Sequence, residues 1–280
     1  MSVIKLFKIY SWLHRLVHHK FIAYLNHRKN HYLLRNTTKP ITGMPNYQHY
    51  SFDLWLTLIK SNPLFKKQRS LYFHTHYNFQ GKTLAEVEHV FRQVDIMCNT
   101  INERTGKNID AEEMYLMVIS LMNDNRINLH NIDVNALYTR METLLFEYLP
   151  VVYCNRTTGV LSNLKARGAT ANILSNTGFI KGVTLRKVLA ELGLYDHFDF
   201  QLYSDEAGMS KPNPAFFNLM ITQAMALKPL ELTGIVHIGD NPVADIAGAQ
   251  TVGINSLLIN SNEATIVNLT HHESPHLFPS

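Results

Sequence analysis

The chain has only two cysteines among its 280 residues, and Cys98 and Cys154 have neither disulfide-type nor metal-ligand spacing. This scarcity argues against a disulfide framework and predicts a reducing compartment, the cytoplasm. Long apolar runs are missing as well. No segment approaches the roughly 20 apolar residues that a membrane-spanning helix needs. The apolar run at residues 21–25 is too short for the core of a secretory signal.

Acidic residues are absent from the first 52 positions, which hold eight lysines and arginines. Apolar residues recur there at helical spacing beside the basic positions, which predicts an amphipathic helix. The apolar positions are Leu6, Ile9, Leu13, Leu16, Val17 and Phe21. Two interpretations of residues 1–30 stay open: peripheral contact with a membrane surface, or packing on the body or on a protein partner. A nucleic-acid partner is not expected.

The order of predicted elements separates a sheet domain from a helical block. After the linker "KPITGMPN", the stretch "YQHYSFDLW" predicts a strand, and only helical patterns follow up to residue 149. One of these helices is expected to begin with a capping box at Thr83 and Glu86 and to end at Gly106. From Pro150 onward, short apolar strands alternate with amphipathic helices, which indicates βαβ units.

We therefore predict an α/β fold: a three-layer, Rossmann-like parallel sheet core with an inserted all-α helical-bundle cap. The core is expected to comprise residues 46–63 and 150–260, and the cap residues 64–149. Residues 1–45 form the basic amphipathic extension, and residues 261–280 a polar, loose tail. Ligands of such sheets bind beyond the carboxyl ends of the strands.

Polar residues follow four of the predicted strands. They are Asp53, Ser175 with Asn176, Lys211, and Asp240 with Asp245 one helical turn later. Because parallel strands bring their carboxyl ends to one edge, we expect these side chains to meet. Carboxylates suit Mg²⁺, and an ammonium with a hydroxyl suits the oxygens of a phosphate. A carboxylate directed at phosphorus can act as a nucleophile.

Four stretches resemble the motifs of the haloacid dehalogenase-like hydrolase superfamily. They are "FDLWLTL", "ILSN", "SKPNPAFF" and "HIGDNPVADIAGAQTVGI", and the last is the most specific. The resemblance covers residues 46 to about 260. It implies a helical cap between the first and second motifs, Mg²⁺ as cofactor and a small phosphorylated molecule as substrate.

The resemblance also implies a role for each matched residue. The implied catalytic residues are Asp53 as nucleophile, Thr57, Ser175 and Lys211. The implied substrate ligands are Ser175, Asn176 and Lys211. The implied metal ligands are Asp53, Trp55 through its main-chain carbonyl, Asp240 and Asp245, the last holding either the metal shell or Lys211.

Trp55 departs from the family pattern. The family's phosphatases carry a second aspartate there, which protonates the leaving oxygen and then activates the hydrolytic water. Tryptophan can do neither, and losing a positioned general acid/base costs about 10²–10⁴ in rate. Three alternatives stay open. They are a slow or specialised Mg²⁺-dependent phosphatase working through an aspartyl-phosphate, a phosphoryl-binding or scaffold protein without turnover, and a 2-haloacid dehalogenase-type hydrolase.

The third alternative has one feature for it and one against it. The family's 2-haloacid dehalogenases carry an aromatic tyrosine at the position of Trp55, and halide leaves without protonation. However, they lack the metal-binding ending that Asp240 and Asp245 provide here. The sequence therefore favours phosphate over halide.

Leu56 stands where the first motif usually has a glycine. Leucine cannot adopt the backbone angles open to glycine without strain, so a different path for this loop is a hypothesis.

Three basic residues lie near the start of the predicted cap: Lys66, Lys67 and Arg69. Contact with an anionic group is one interpretation. A solvated helix face is the commoner outcome for such residues, and we expect it here.

Overall fold

The structure is a computed structural model that describes residues 46–270. The predicted extension at residues 1–45 and residues 271–280 of the predicted tail lie outside the described residues. Seven strands are present in the described part: β1 (His49–Phe52), β2 (Ile59–Lys60), β3 (Val151–Val152), β4 (Thr170–Ser175), β5 (Phe200–Tyr203), β6 (Ile235–Gly239) and β7 (Asn255–Leu258). Five of them form a parallel sheet in the order β5-β4-β1-β6-β7.

Four helices, here called the helical insertion, lie between β2 and β3. They are α1 (Pro63–His76), α2 (Leu84–Thr105), α3 (Ala111–Met122) and α4 (Val134–Glu147). The helices that alternate with the later strands are α5 (Thr157–Ala166), α6 (Gly182–Glu191), α7 (Ser204–Ala207), α8 (Pro214–Leu227) and α9 (Gly248–Thr251), the last preceded by a π-helical turn, Pro242–Ala247. Short 3₁₀ turns span Leu129–Asn131, Tyr195–His197, Leu232–Gly234 and Ile266–Thr270.

The central strand β1 fixes the alignment of the strand ends. Its last residue, Phe52, is in register with Ile173 of β4 and with Ile238 of β6. All four residues of β1 are buried, as expected for a parallel strand covered on both faces. The next residue, Asp53, donates its N–H to the carbonyl of Ile238 at 2.8 Å. The predicted α/β class with a parallel sheet is confirmed, and its strand ends meet at one edge.

The helical insertion packs around a cluster of aromatic side chains. Phe73 of α1 is fully buried, with its ring centroid 4.9 Å from that of Phe91 on α2 and 5.7 Å from that of Tyr115 on α3. The strands β2 and β3 pair antiparallel where the chain leaves the sheet domain and returns to it. The insertion is therefore held at its base by a short ribbon and inside by an apolar core.

The predicted capping box of α2 is confirmed. The Thr83 hydroxyl accepts a hydrogen bond from the N–H of Glu86 at 3.3 Å, and the Glu86 carboxylate accepts one from the N–H of Thr83 at 2.7 Å. The helix ends at Gly106, whose φ of 64° is the left-handed conformation that glycine adopts without strain.

The ordered body continues past the boundary predicted at residue 260. Ile266 and Leu269 are buried against the apolar core of the sheet domain, and Ile266 begins a 3₁₀ turn. The prediction of a loose tail is therefore wrong for residues 261–270. The stretch is mostly polar in sequence, so the two apolar residues that pack on the core, Ile266 and Leu269, were not recognised.

Both cysteines are free thiols in the structure, and Cys98 is buried. Within residues 46–270, no helix combines the length and the apolar character needed to cross a bilayer. A cytoplasmic location stays a prediction.

Candidate active site

Asp53 lies at the centre of the carboxyl edge of the sheet, directly after β1. Its carboxylate accepts hydrogen bonds from the Lys211 ammonium at 2.8 Å, the Thr57 hydroxyl at 3.1 Å and the Ser175 hydroxyl at 3.4 Å. Only 7% of Asp53 is exposed. The four residues predicted to be catalytic therefore meet around one carboxylate, although 158 positions separate Asp53 from Lys211.

Lys211 is a buried cation held between two carboxylates. Its ammonium lies 2.8 Å from Asp53 Oδ1 and 2.6 Å from Asp245 Oδ1, and only 1% of the residue is exposed. Burial alone would lower the pKa of Lys211, but the charges of Asp245 and Asp53 raise it above its ordinary value. The lysine is therefore charged and oriented towards Asp53.

Asn176 holds the main chain of Lys211. Its Oδ1 accepts a hydrogen bond from the Lys211 N–H at 2.7 Å, and its Nδ2 donates to the Lys211 carbonyl at 3.0 Å. This reciprocal pair fixes the loop that carries the lysine against the end of β4. The predicted contact of Asn176 with substrate stays a prediction.

Asp245 is saturated by groups of the site itself. Its Oδ1 accepts from Lys211 and from the His237 ring at 3.2 Å, and its Oδ2 accepts from the Asn241 N–H at 2.9 Å. Burial would raise the pKa of Asp245, but Lys211 and His237 hold it well below the ordinary value. Gly239 makes this approach feasible, because a Cβ there would lie 2.2 Å from the Asp245 carboxyl carbon.

Two residues of this network were missed at the level of sequence. His237 of β6 is fully buried, and its other ring nitrogen lies 2.9 Å from the hydroxyl of Ser51, its register partner on β1. Burial lowers the pKa of His237 to about 4, so its ring is neutral at neutral pH. Polar residues inside two fully buried strands are the sequence feature that points to such a pair.

Three carboxylates make the edge of the sheet a fitting site for a divalent cation. Asp53, Asp240 and Asp245 each offer an oxygen, and these oxygens lie within 4.8 Å of one another. Burial and the neighbouring carboxylates raise the pKa of Asp240 to about 7, and burial raises that of Asp53 to about 6 against the pull of Lys211. One lysine does not balance three carboxylates, and a bound cation would offset the excess.

Asp240 differs from the other two carboxylates in its surroundings. It is half-buried, and no other side chain within residues 46–270 donates a hydrogen bond to its carboxylate. Asp240 is therefore the carboxylate most open to Mg²⁺, which needs only one or two protein carboxylates, and Asp53 as a second ligand stays a prediction. Asp245 contacts Lys211, one of the two roles predicted for it, and its binding of the metal stays a prediction.

Trp55 and Leu56 lie on the loop that directly follows Asp53 at the carboxyl edge of the sheet. Trp55 is half-buried, packs against the apolar core and forms an isolated bridge with Ile59. The side chain of Asn260, at the end of β7, donates to the carbonyls of Leu56 and Thr57 at 2.9 and 3.0 Å. Binding of a metal by the Trp55 carbonyl stays a prediction.

Leu56 has the strained backbone conformation that was anticipated for a leucine at the usual glycine position. Its φ is 60°, in the left-handed region that leucine rarely adopts, and 52% of the residue is exposed. We expect Leu56→Gly to raise the free energy of unfolding by up to about 1 kcal/mol, because it relieves strain and exposes little apolar area. Urea unfolding measures this change.

The matched control is Leu71→Gly, at a leucine that is 42% exposed but lies inside α1. It should lower the stability by about 1 kcal/mol, since glycine weakens a helix interior. Equal losses for both variants would contradict a strained Leu56.

The basic residues near the start of the insertion do not share one environment. Lys66 and Lys67 are exposed, as expected for a solvated face. Arg69 is buried, with its guanidinium 4.0 Å from the centroid of the Phe91 ring and 4.7 Å from that of Phe179. The prediction of a solvated face is therefore wrong for Arg69, which stacks on aromatic rings from the insertion and from the sheet domain.

The fold and the site together define a Rossmann-like α/β protein with an acidic, lysine-containing site at the carboxyl edge of its sheet. A family model described as haloacid dehalogenase-like hydrolase matches residues 51–259. The chain belongs to this family.

Similar proteins agree with this assignment. The human haloacid dehalogenase-like hydrolase domain-containing protein 3 is 36% identical over 104 residues, which are 37% of this chain and 38% of that protein. The glyceraldehyde 3-phosphate phosphatase of Methanothermobacter thermautotrophicus is 27% identical over 61% of this chain and 76% of its own. The magnesium-bound HAD-hydrolase YfnB of Bacillus subtilis has a TM-score of 0.61 at 18% identity, over 79% of this chain and 92% of its own. This last likeness concerns the fold alone.

Proposed function

We propose that the protein is a Mg²⁺-dependent phosphatase that hydrolyses a small phosphorylated metabolite through an aspartyl-phosphate at Asp53. The observation that carries this proposal is the single carboxylate contacted by Lys211, Ser175 and Thr57. A relative named as a phosphatase, which acts on glyceraldehyde 3-phosphate, supports the same class of reaction.

Each residue has a distinct part in this reaction. Thr57 and Lys211 orient the Asp53 carboxylate towards phosphorus, and Lys211 offsets charge on the phosphoryl oxygens. The hydroxyl of Ser175 donates to one of those oxygens. Asp53 and Asp240 would hold Mg²⁺, which supplies further positive charge to the transferring group. Attack of the Asp53 carboxylate on phosphorus forms the aspartyl-phosphate and breaks the bond to the leaving oxygen, which departs as the alkoxide or alcohol. Water then attacks the phosphorus, which releases inorganic phosphate and restores the carboxylate.

The proposal includes a limit set by Trp55. An indole neither donates a proton to a leaving alkoxide nor removes one from water at neutral pH. Substrates whose leaving group is stable as an anion are therefore expected to react fastest. This makes the enzyme slow on alkyl phosphates unless another group moves the proton.

A second candidate function follows from the same residue. Without an acid at position 55, the site can bind a phosphoryl group and Mg²⁺ without turnover, as a binding or scaffold protein. Dehalogenation is a weaker alternative, because the charge of Asp240 beside Asp53 favours a cation over a metal-free halide site.

A substrate panel tests the proposal. We expect the purified chain to release phosphate from p-nitrophenyl phosphate with Mg²⁺, and to stop when EDTA removes the metal. Release from phenyl phosphate should be slower, because phenolate needs protonation more. Metal and phosphate-analogue binding with no turnover on any member would favour the scaffold function. Halide release from 2-chloropropionate without metal would favour a dehalogenase.

A further inference from the structure

The C-terminal end of α2 lies directly on the loops that carry the site. We call residues 103–108 the docking segment. Its contacts with the sheet domain are three polar groups: the Glu103 carboxylate on Asn241, the Gly106 carbonyl on the loop around Lys211, and the Asn108 side chain on Ser204. The segment therefore contacts two of the loops from which the site is built.

Glu103 is the first member of an unbroken chain of hydrogen bonds that ends at Asp53. Its Oε1 accepts from Asn241 Nδ2 at 3.0 Å, and the Asn241 N–H donates to Asp245 at 2.9 Å. Asp245 then accepts from Lys211, which also donates to Asp53. A carboxylate of the helical insertion is thus linked to the proposed nucleophile through four hydrogen bonds.

Asn241 is fixed at both ends of its amide. Its Oδ1 accepts from the N–H groups of Val243 and Ala244 at 2.9 and 3.1 Å and so caps the π-helical turn that carries Asp245. Its Nδ2 is directed at Glu103. The Asn241 amide is therefore bonded on one side to the sheet domain and on the other to a carboxylate of the helical insertion.

Gly106 makes the second contact, on the loop around Lys211. Its carbonyl accepts from the Ser210 N–H at 3.1 Å and from Asn213 Nδ2 at 3.0 Å, on either side of the lysine. A Cβ at Gly106 would lie 2.9 Å from Asn213 Nδ2, so a larger residue would displace this contact. The docking segment holds the lysine loop and the Asn241 loop at the same time.

We propose that Glu103 is a positioning residue through which the docked helical insertion orders Asn241, Asp245 and Lys211 for catalysis. The kinetic part of this inference rests on the proposed phosphatase function, whereas its metal-binding and hydrogen-exchange parts do not. The donors to Asp53 found within residues 46–270 belong to the sheet domain, and the insertion supplies the acceptor that orients Asn241.

The test compares Glu103→Ala, which removes the acceptor, with Glu103→Gln, which keeps an acceptor oxygen. We expect Glu103→Ala to lower kcat and weaken Mg²⁺ binding about tenfold to 100-fold, as for a lost hydrogen bond to a charged group, with KM changing less. Hydrogen exchange of the Asn241 backbone N–H should become faster, because its bond to Asp245 is no longer held in place. Glu103→Gln should restore most of each property, and Glu88→Ala, exposed on the same helix, should change none of them.

Two outcomes would overturn the inference. Metal affinity, amide exchange and kcat within twofold of the parent for Glu103→Ala would show that the contact positions nothing. Equal loss of kcat for the alanine and glutamine variants, with unchanged exchange, would assign Glu103 to proton transfer instead. Calorimetric titration with Mg²⁺ alone and hydrogen exchange remain decisive if no phosphatase substrate is found, so the two proposals fail separately.

Discussion

Replacement of Asp53 by asparagine is expected to lower phosphate release by a factor on the order of 10³ or more, the size seen when a covalent nucleophile is removed. An amide oxygen does not form the aspartyl-phosphate, whereas it can still accept a hydrogen bond from Thr57 or Lys211. Lys211 keeps its ion pair with Asp245 at 2.6 Å, so the buried cation is not left without a carboxylate. The fold should therefore survive the change.

The measurement is steady-state phosphate release with Mg²⁺ on p-nitrophenyl phosphate, beside circular dichroism and thermal unfolding. Asp196→Asn is the matched control, because Asp196 is exposed and lies in a 3₁₀ turn away from the carboxyl edge. Its activity should equal that of the parent. If Asp53→Asn hydrolyses at the parental rate while folded, Asp53 is not the nucleophile.

The site could be predicted from the sequence as far as the strand ends define it. Strand positions follow from short apolar runs, and parallel strands leave their carboxyl ends on one edge. Asp53 follows β1 and Ser175 ends β4, so the strand ends alone place these two side chains together, whereas Lys211 lies on a longer loop after β5 and α7. The contact between Asp53 and Ser175 at 3.4 Å follows from the register of β1 on β4, in which Phe52 is paired with Ile173. The position of Lys211 depends on its loop as well.

Contacts that cross between the insertion and the sheet domain could not be predicted in this way. Glu103 reaches Asn241 over 138 positions, and no periodic pattern encodes that pairing. Arg69 is a comparable case, since its burial depends on Phe179 in the loop after β4. A charge on a helix is placed by what packs against that helix, and local sequence carries little of this information.

His237 is a third case: its position in a strand was visible in the sequence, but its hydrogen-bond partners were not. The residue lies inside the fourth motif, and its side chain is directed to Asp245 and Ser51. Alternation along a strand places residues 237 and 239 on one face, which is also the face that Asp245 covers at Gly239. The alternation of side chains along β6 therefore indicates that His237 lies on the same face as Asp245, to which it donates.

Under the proposed function, Trp55 limits which phosphate esters the site can hydrolyse. The residue is half-buried at the rim, two positions after Asp53, on a loop anchored by Asn260 and bridged to Ile59. A carboxylate introduced there would lie on the same loop as the proposed nucleophile, two positions further along the chain.

We expect Trp55→Asp to raise kcat for phenyl phosphate by about 10²–10⁴, the usual contribution of a positioned general acid/base, and to raise that for p-nitrophenyl phosphate far less. The difference arises because p-nitrophenolate leaves readily without a proton, so the added acid helps only the poorer leaving group. Parallel kinetics on the two substrates measure this selectivity. Trp55→Asn is the control: it removes the same indole and supplies no acid, so any gain it shows comes from opening the rim. Equal gains for the aspartate and asparagine variants, or no gain for either in a folded protein, would mean that proton transfer at this position does not limit the rate.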